Sequence, residues 1–124
     1  MFILFSEYKG VKMSQLPELV KIVVEQLQEK KAEDLAVLDV RKMVNYTDYL
    51  VIATGNSAPH VQTLADTVAK LLKKPEEGIK QESDPTSNWL LIDGGEFILH
   101  VFQPNARKYY ALEDLWEDAE RVEI

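Results

Sequence analysis

Residues 47–61 read TDYLVIATGNSAPHV. The apolar run over 48–53 has the length of a strand, and Gly55 ends it. From Ser57 a period near 3.6 takes over, with Val61, Leu64, Ala65, Val68, Leu71 and Leu72 at steps of three and four. This predicts a helix over 57–74, capped by Ser57 and closed by Pro75 and Gly78. A strand turning at a glycine into a capped helix is a unit of an α/β layer structure. The same local shape cradles phosphates in many enzymes.

The residues of the turn argue against a ligand loop. It holds no Lys or Arg, and Pro59 removes one backbone donor. Neither Gly-Lys-Ser/Thr nor three spaced glycines is present. A nucleotidyltransferase-type enzyme would pair Gly-Ser at a helix start with two carboxylates on a neighbouring strand, to hold magnesium. Here the nearest set is Gly55-Asn56-Ser57 with Asp93 or Glu96, which flank a Gly-Gly turn and do not alternate on one strand face. That enzyme remains the alternative reading. Ser57 and His60 stand three apart, but no Gly-x-Ser-x-Gly elbow supports a nucleophile. An N-cap serine explains the pair.

Working outward, Leu16, Leu19, Val20, Val23, Val24 and Leu27 make an apolar stripe over 14–31, with Ser14 as its expected cap. Residues 34–40 form a strand expected to pair antiparallel with 48–53 across a short link. The polar stretch 75–88 has room for a short strand at 79–82. WLLID (89–93) and EFILHVFQ (96–103) read as a hairpin with a primed turn at Gly94-Gly95. Pro104 stops the second strand, and Asn105 is placed to cap a short helix over 106–110, with another turn over 112–116. The expected fold is a single α/β domain, a mixed five-stranded sheet with flanking helices, one face only partly covered. Its expected extent is 14–118, with an extension at 1–13 and an acidic tail at 119–124.

Bulk properties narrow the function. The chain has 124 residues, no cysteine and two histidines, so thiolate chemistry and disulfides are excluded and a histidine-rich metal site is disfavoured. No cofactor is expected. With 14 basic against 21 acidic residues the formal charge is −7, which disfavours bare nucleic acid and favours a basic protein partner. No apolar run approaches the roughly 20 residues of a membrane span. The opening MFILFSEYKGVK has an apolar core of four residues, shorter than a signal-peptide core, and reads as a dispensable extension or as the product of an upstream start, with Met13 opening the domain.

Four blocks carry a family resemblance: AEDLAVLDV, TDYLVIATGNSAPHV, NWLLIDGGEFILHVFQP and ARKYYALEDLW. Together, from about Leu16 to Trp116, they resemble the ribosomal silencing factor family, also called RsfS or Iojap. The resemblance implies a fold related to nucleotidyltransferases without their active site. It implies a non-enzymatic bacterial or organellar factor, here expected in the bacterial cytoplasm, that docks on protein fourteen of the large ribosomal subunit. There it blocks joining of the small subunit and lowers translation when nutrients are scarce. It also implies a homodimer when free. The chain departs from the family's pattern at Lys42–Tyr46, where members more often carry Gly and Ser, and at Asn56 and Ala58-Pro59.

Residue alternation locates a docking face. Leu90, Ile92, Phe97, Leu99 and Val101 form a purely apolar set suited to a helix-covered core. Trp89, Leu91 and Asp93, with Ile98, His100 and Phe102, form a mixed set of large apolar area and polar tips. Arg107, Tyr109 and Tyr110 follow, and two adjacent tyrosines do not both point inward from one helical turn. The expected partner-binding residues are therefore Trp89, Leu91, Asp93, His100, Phe102, Arg107, Tyr109 and Tyr110. Short C-terminal helices or a second copy of the chain are the other candidates for covering this face. Past Leu112, six acids stand against one base, either a solvated tail or an edge that steers toward a basic partner.

Overall fold

Pro17 decides where the first helix starts. A residue before proline is pushed to extended backbone, and Leu16 is extended (φ −71°, ψ 151°). The helix therefore does not begin at Ser14. Met13–Gln15 make one 3₁₀ turn, and α1 runs Glu18–Glu29 with Pro17 at its N-cap. In this computed structural model residues 12–72, 79–81 and 89–124 are described. The expected N-terminal extension falls almost wholly outside them, as does most of the polar stretch 75–88.

At its other end α1 closes in a Schellman motif. The Lys31 N–H donates to the Gln28 carbonyl at 3.0 Å and the Ala32 N–H to the Leu27 carbonyl at 2.9 Å. Lys31 is left-handed, with φ 65°. A side chain with a Cβ is disfavoured there and glycine is not. Lys31→Gly is expected to raise the unfolding free energy by about 0.5–1 kcal/mol. Urea unfolding measures this, and an unchanged or lower midpoint contradicts it.

The strands are β1 (Glu33–Asp39), β2 (Tyr49–Thr54), β3 (Ile79–Gln81), β4 (Trp89–Asp93), β5 (Phe97–Phe102) and a two-residue β6 (Glu120–Arg121). They form one sheet in the order β3-β4-β5-β2-β1-β6. β2 and β5 run parallel; the other neighbours are antiparallel. The five expected strands are present, with β6 added at one edge. Residues 119–124 thus contain a strand, and Val122 beside it is 3 % exposed, packed in the core. Its N–H donates to the Val37 carbonyl at 2.7 Å.

Both long helices, α1 and α2 (Ala58–Leu71), lie on one face of the sheet. Under them pack Leu90, Ile92, Phe97, Leu99 and Val101, the set expected from alternation, together with Val37, Tyr49, Val51 and Ala53 of β1 and β2. The second face is covered over part of its width by α3 (Pro104–Tyr110) and α4 (Leu112–Leu115). There Ala36, Leu38, Val40, Leu50, Ile52, Phe102 and Ala106 form a smaller cluster, with Trp89, Ile98, Leu112 and Trp116 half-buried on it. β2 is buried at every position because it is central and both its faces are covered. α3 begins at Pro104 itself, with Gln103 as N-cap, and Asn105 lies inside the helix. Proline suits the first helical position because the N–H it lacks has no partner there.

Candidate docking face

The turn at Gly55 is scaffolding by its contacts. Ser57 Oγ accepts from the His60 N–H at 3.2 Å, so the hydroxyl caps α2 as its position in the sequence suggested. His60 Nδ1 accepts from the Asn56 N–H at 3.0 Å, and its Nε2 lies 2.8 Å from the Lys30 carbonyl. This ring fastens the end of α1 to the start of α2. It must carry its proton on Nε2, since Nδ1 is an acceptor.

The alternative Ser57–Asp93/Glu96 constellation is not assembled. β2 and β5 are parallel, with Tyr49 opposite Phe97 and Thr54 opposite Phe102. Ser57 follows the Thr54 end, whereas Asp93 and Glu96 flank the turn at the Phe97 end. Five residues of strand separate the two ends, about 16 Å. Asp93 Oδ1 instead accepts from the Gly95 N–H at 2.9 Å and holds the hairpin. Gly95 alone in that turn has positive φ, 89°. Among the described residues no three His, Asp or Glu side chains are arranged to hold a metal ion.

The expected docking residues divide into exposed, supporting and internal. Trp89 sits over Phe102 with ring centroids 4.9 Å apart and against Tyr110 at 4.7 Å. Tyr109 meets Tyr110 edge-on at 5.0 Å. Tyr109 is 81 % exposed and Tyr110 38 %. Leu91 and Trp89 are half-buried and Asp93 is exposed. Trp89, Tyr109 and Tyr110 form one aromatic corner on the open part of the second face, and Asp93 lies at the far end of β4 from it. Asn56, Gln103, Asn105, Tyr109 and Tyr110 line a groove beside the corner.

Phe102, by contrast, is fully buried beneath Trp89 and Tyr110. It supports the corner from below and presents no surface. The chain's own α3 covers it, the rival covering considered from the sequence. His100 is also buried, and its Nδ1 accepts the Trp89 indole N–H at 3.0 Å. Arg107 points inward: its side chain is 12 % exposed and pairs with Glu113 at 2.9 Å. The importance of Glu113 was not legible, because the pair spans six residues across the left-handed Ala111 (φ 46°). Leu115, 75 % exposed on α4, and Ile98, half-buried on β5, were not among the expected contacts.

Burial pushes the His100 imidazole down to about 4. The ring is therefore neutral at pH 7, as its acceptor role requires. Its folded value lies below its ordinary value of 6.5, so below that value the unfolded chain binds a proton that the native chain refuses. Stability from this group is present above pH 6.5 and lost as pH falls toward 4. Between pH 7 and pH 5 the expected loss is about 2 kcal/mol. Urea unfolding of wild type and His100→Gln at both pH values tests this. The variant is expected to lose less than half as much; an equal loss contradicts it. Burial raises the Asp39 carboxyl, but the bonds from Arg41 more than offset this and leave it below its ordinary value. The bond from Arg107 lowers the Glu113 carboxyl. Stability from these two carboxylates is lost only as pH falls through and below their ordinary values of 3.8 and 4.5, outside the interval from pH 7 to pH 5 that is tested for His100.

Comparison with known proteins gives one answer at several levels. The family model described as "Ribosomal silencing factor during starvation" matches residues 13–124. The chain is 36 % identical over 108 residues to "Ribosomal silencing factor RsfS" of Halalkalibacterium halodurans, covering 86 % of this chain and 92 % of that protein. It is 31 % identical to mouse "Mitochondrial assembly of ribosomal large subunit protein 1", covering 78 % of this chain and 44 % of that longer protein. A crystal structure of a Chromobacterium violaceum protein superposes with a TM-score of 0.70 at 35 % identity, covering 81 % of this chain and 84 % of that one.

Proposed function

The chain belongs to the ribosomal silencing factor family, and from that premise we propose that it is a steric obstacle to ribosome assembly. It binds the large ribosomal subunit through protein fourteen and prevents the small subunit from joining. The work is done by binding energy and occupied volume, with no bond chemistry. The observation that carries this reading is the aromatic corner: Tyr109 is 81 % exposed, on a sheet face that the long helices leave open.

Exposed aromatic side chains with polar tips are enriched among residues that dominate protein interfaces. The C-terminal segment adds Asp114, Glu117 and Asp118, all exposed. Their charge favours a basic protein surface and repels neighbouring RNA phosphates. An interface of about 1,200–2,000 Å² in total suffices for specific docking. The name of the mouse relative, which refers to the large subunit, and the family's description, which refers to starvation, support the partner and the circumstance. We assign the factor to the bacterial cytoplasm, where ribosomes are assembled, and expect a homodimer before it meets them.

Co-sedimentation tests the partner. The chain is expected to pellet with purified large subunits and to remain in the supernatant with small subunits. Equal pelleting with both, or with neither, overturns the assignment.

A further inference from the structure

We propose that Arg107 is a positioning residue for the docking face. Its guanidinium fixes the angle between α3 and α4 and so sets the Tyr109–Tyr110 corner without touching the partner. This rests on the docking reading above.

Arg107 has five N–H donors. Nε and Nη2 donate to the two carboxylate oxygens of Glu113 at 3.1 and 2.9 Å. Nη1 donates to Thr54 Oγ1 at 2.8 Å and also to the Asp34 carbonyl. Four bonds thus join α3 to α4, to the end of β2 and to β1. A partner carboxylate would have to displace Glu113 from a bidentate pair, the strong form of this interaction. The Asp34 carbonyl is within reach because β1 carries a bulge there: register shifts between Glu33 and Ala36, and Asp34 is left-handed with φ 46°.

The corner needs such a brace. α3 has seven residues and α4 four, both too short to be stable alone. They meet at Ala111, whose left-handed backbone is unfavourable for a residue with a Cβ. Something beyond the helices' own backbone bonds must therefore hold that junction. Among the described residues, the Arg107–Glu113 pair is the ion pair that spans it, and Arg121 of β6 reaches the same Glu113 carboxylate at 3.5 Å. Tyr109 and Tyr110 follow Arg107 by two and three residues, in the last turn of α3. Any swing of that turn moves both rings.

The test is a double-mutant cycle on affinity for purified large subunits. It uses Arg107→Lys, Tyr109→Ala and the double variant, at a temperature where circular dichroism finds all of them folded. Lysine keeps the charge but lacks the planar fork. Arg107→Lys is expected to weaken binding about 10-fold in the wild-type chain and less than about 2-fold in the Tyr109→Ala background, because its effect passes through that ring. Full additivity overturns the proposal and makes Arg107 a direct contact. Wild-type affinity in Arg107→Lys overturns it as well. A wild-type chain that binds no large subunits removes the docking reading, and this inference with it. Glu113→Gln, which removes half of the brace, is expected to reproduce the dependence on Tyr109; independence from Tyr109 counts against the proposal.

Discussion

Tyr109→Ala is expected to weaken binding to purified large subunits by about 30-fold or more, roughly 2 kcal/mol, while leaving the thermal midpoint within about 2 °C of wild type. The ring is 81 % exposed and touches little besides the edge of Tyr110, so its removal takes almost nothing from the folded state. Most of its apolar area is available to a partner, and its hydroxyl stays paired on burial if the partner supplies an acceptor. Tyr46 is the control. It is 60 % exposed, in the link before β2, at the end of that strand opposite to α3. Tyr46→Ala is expected to bind as wild type. Loss of affinity in Tyr46→Ala with none in Tyr109→Ala places the docking surface at the wrong end of the sheet.

Gly55→Ala carries the largest expected effect on stability. A Cβ built there lies 2.7 Å from the Val61 backbone nitrogen and 2.9 Å from Val61 Cγ2. The obstruction is backbone in the first turn of α2, and that turn is pinned from three sides. Ser57 caps it, His60 ties it to the end of α1, and the Gly55 N–H itself donates to the Phe102 carbonyl at 2.9 Å. Neither side has freedom to yield, so the overpacking cost is expected to reach about 3 kcal/mol, a fall in midpoint of about 10 °C. Differential scanning calorimetry reads this directly. A midpoint equal to wild type means that α2 shifts without cost. The glycine is explained by the closeness of the helix to the strand end, and no bound phosphate is needed to account for it.

Much of this architecture was legible because the sheet and helix periods differ. Leu90, Ile92, Phe97, Leu99 and Val101 alternate cleanly, and all lie under the long helices. The stripe from Leu16 to Leu27 and that from Val61 to Val68 placed both helices on apolar cores. β6 was hidden for the opposite reason. Two exposed charged residues, Glu120 and Arg121, pair with β1 some eighty residues earlier, and only Val122 adds buried apolar area. No local pattern encodes such a pairing.

The make-up of the exposed corner was half legible. Alternation put Trp89, Leu91, His100 and Phe102 on one face, which they share, but it carries no information on what covers that face. α3 folds back over Phe102, so the open corner moves outward to Tyr109 and Tyr110. Arg107 looked like a surface cation because its partners are distant or irregular: a carbonyl at a bulge, a hydroxyl at a strand end and a carboxylate beyond a left-handed residue. The function itself came from the family resemblance, since nothing in the residue patterns alone specified a ribosome.

Stopped-flow light scattering of purified large and small subunits, mixed in the presence of increasing amounts of the chain, bears on the obstruction directly. The rate and extent of joining are expected to fall in proportion to the fraction of large subunits occupied, and Tyr109→Ala at the same concentration is expected to leave joining nearly intact. Subunits that associate at an undiminished rate while the large subunit is saturated with the chain would contradict the account.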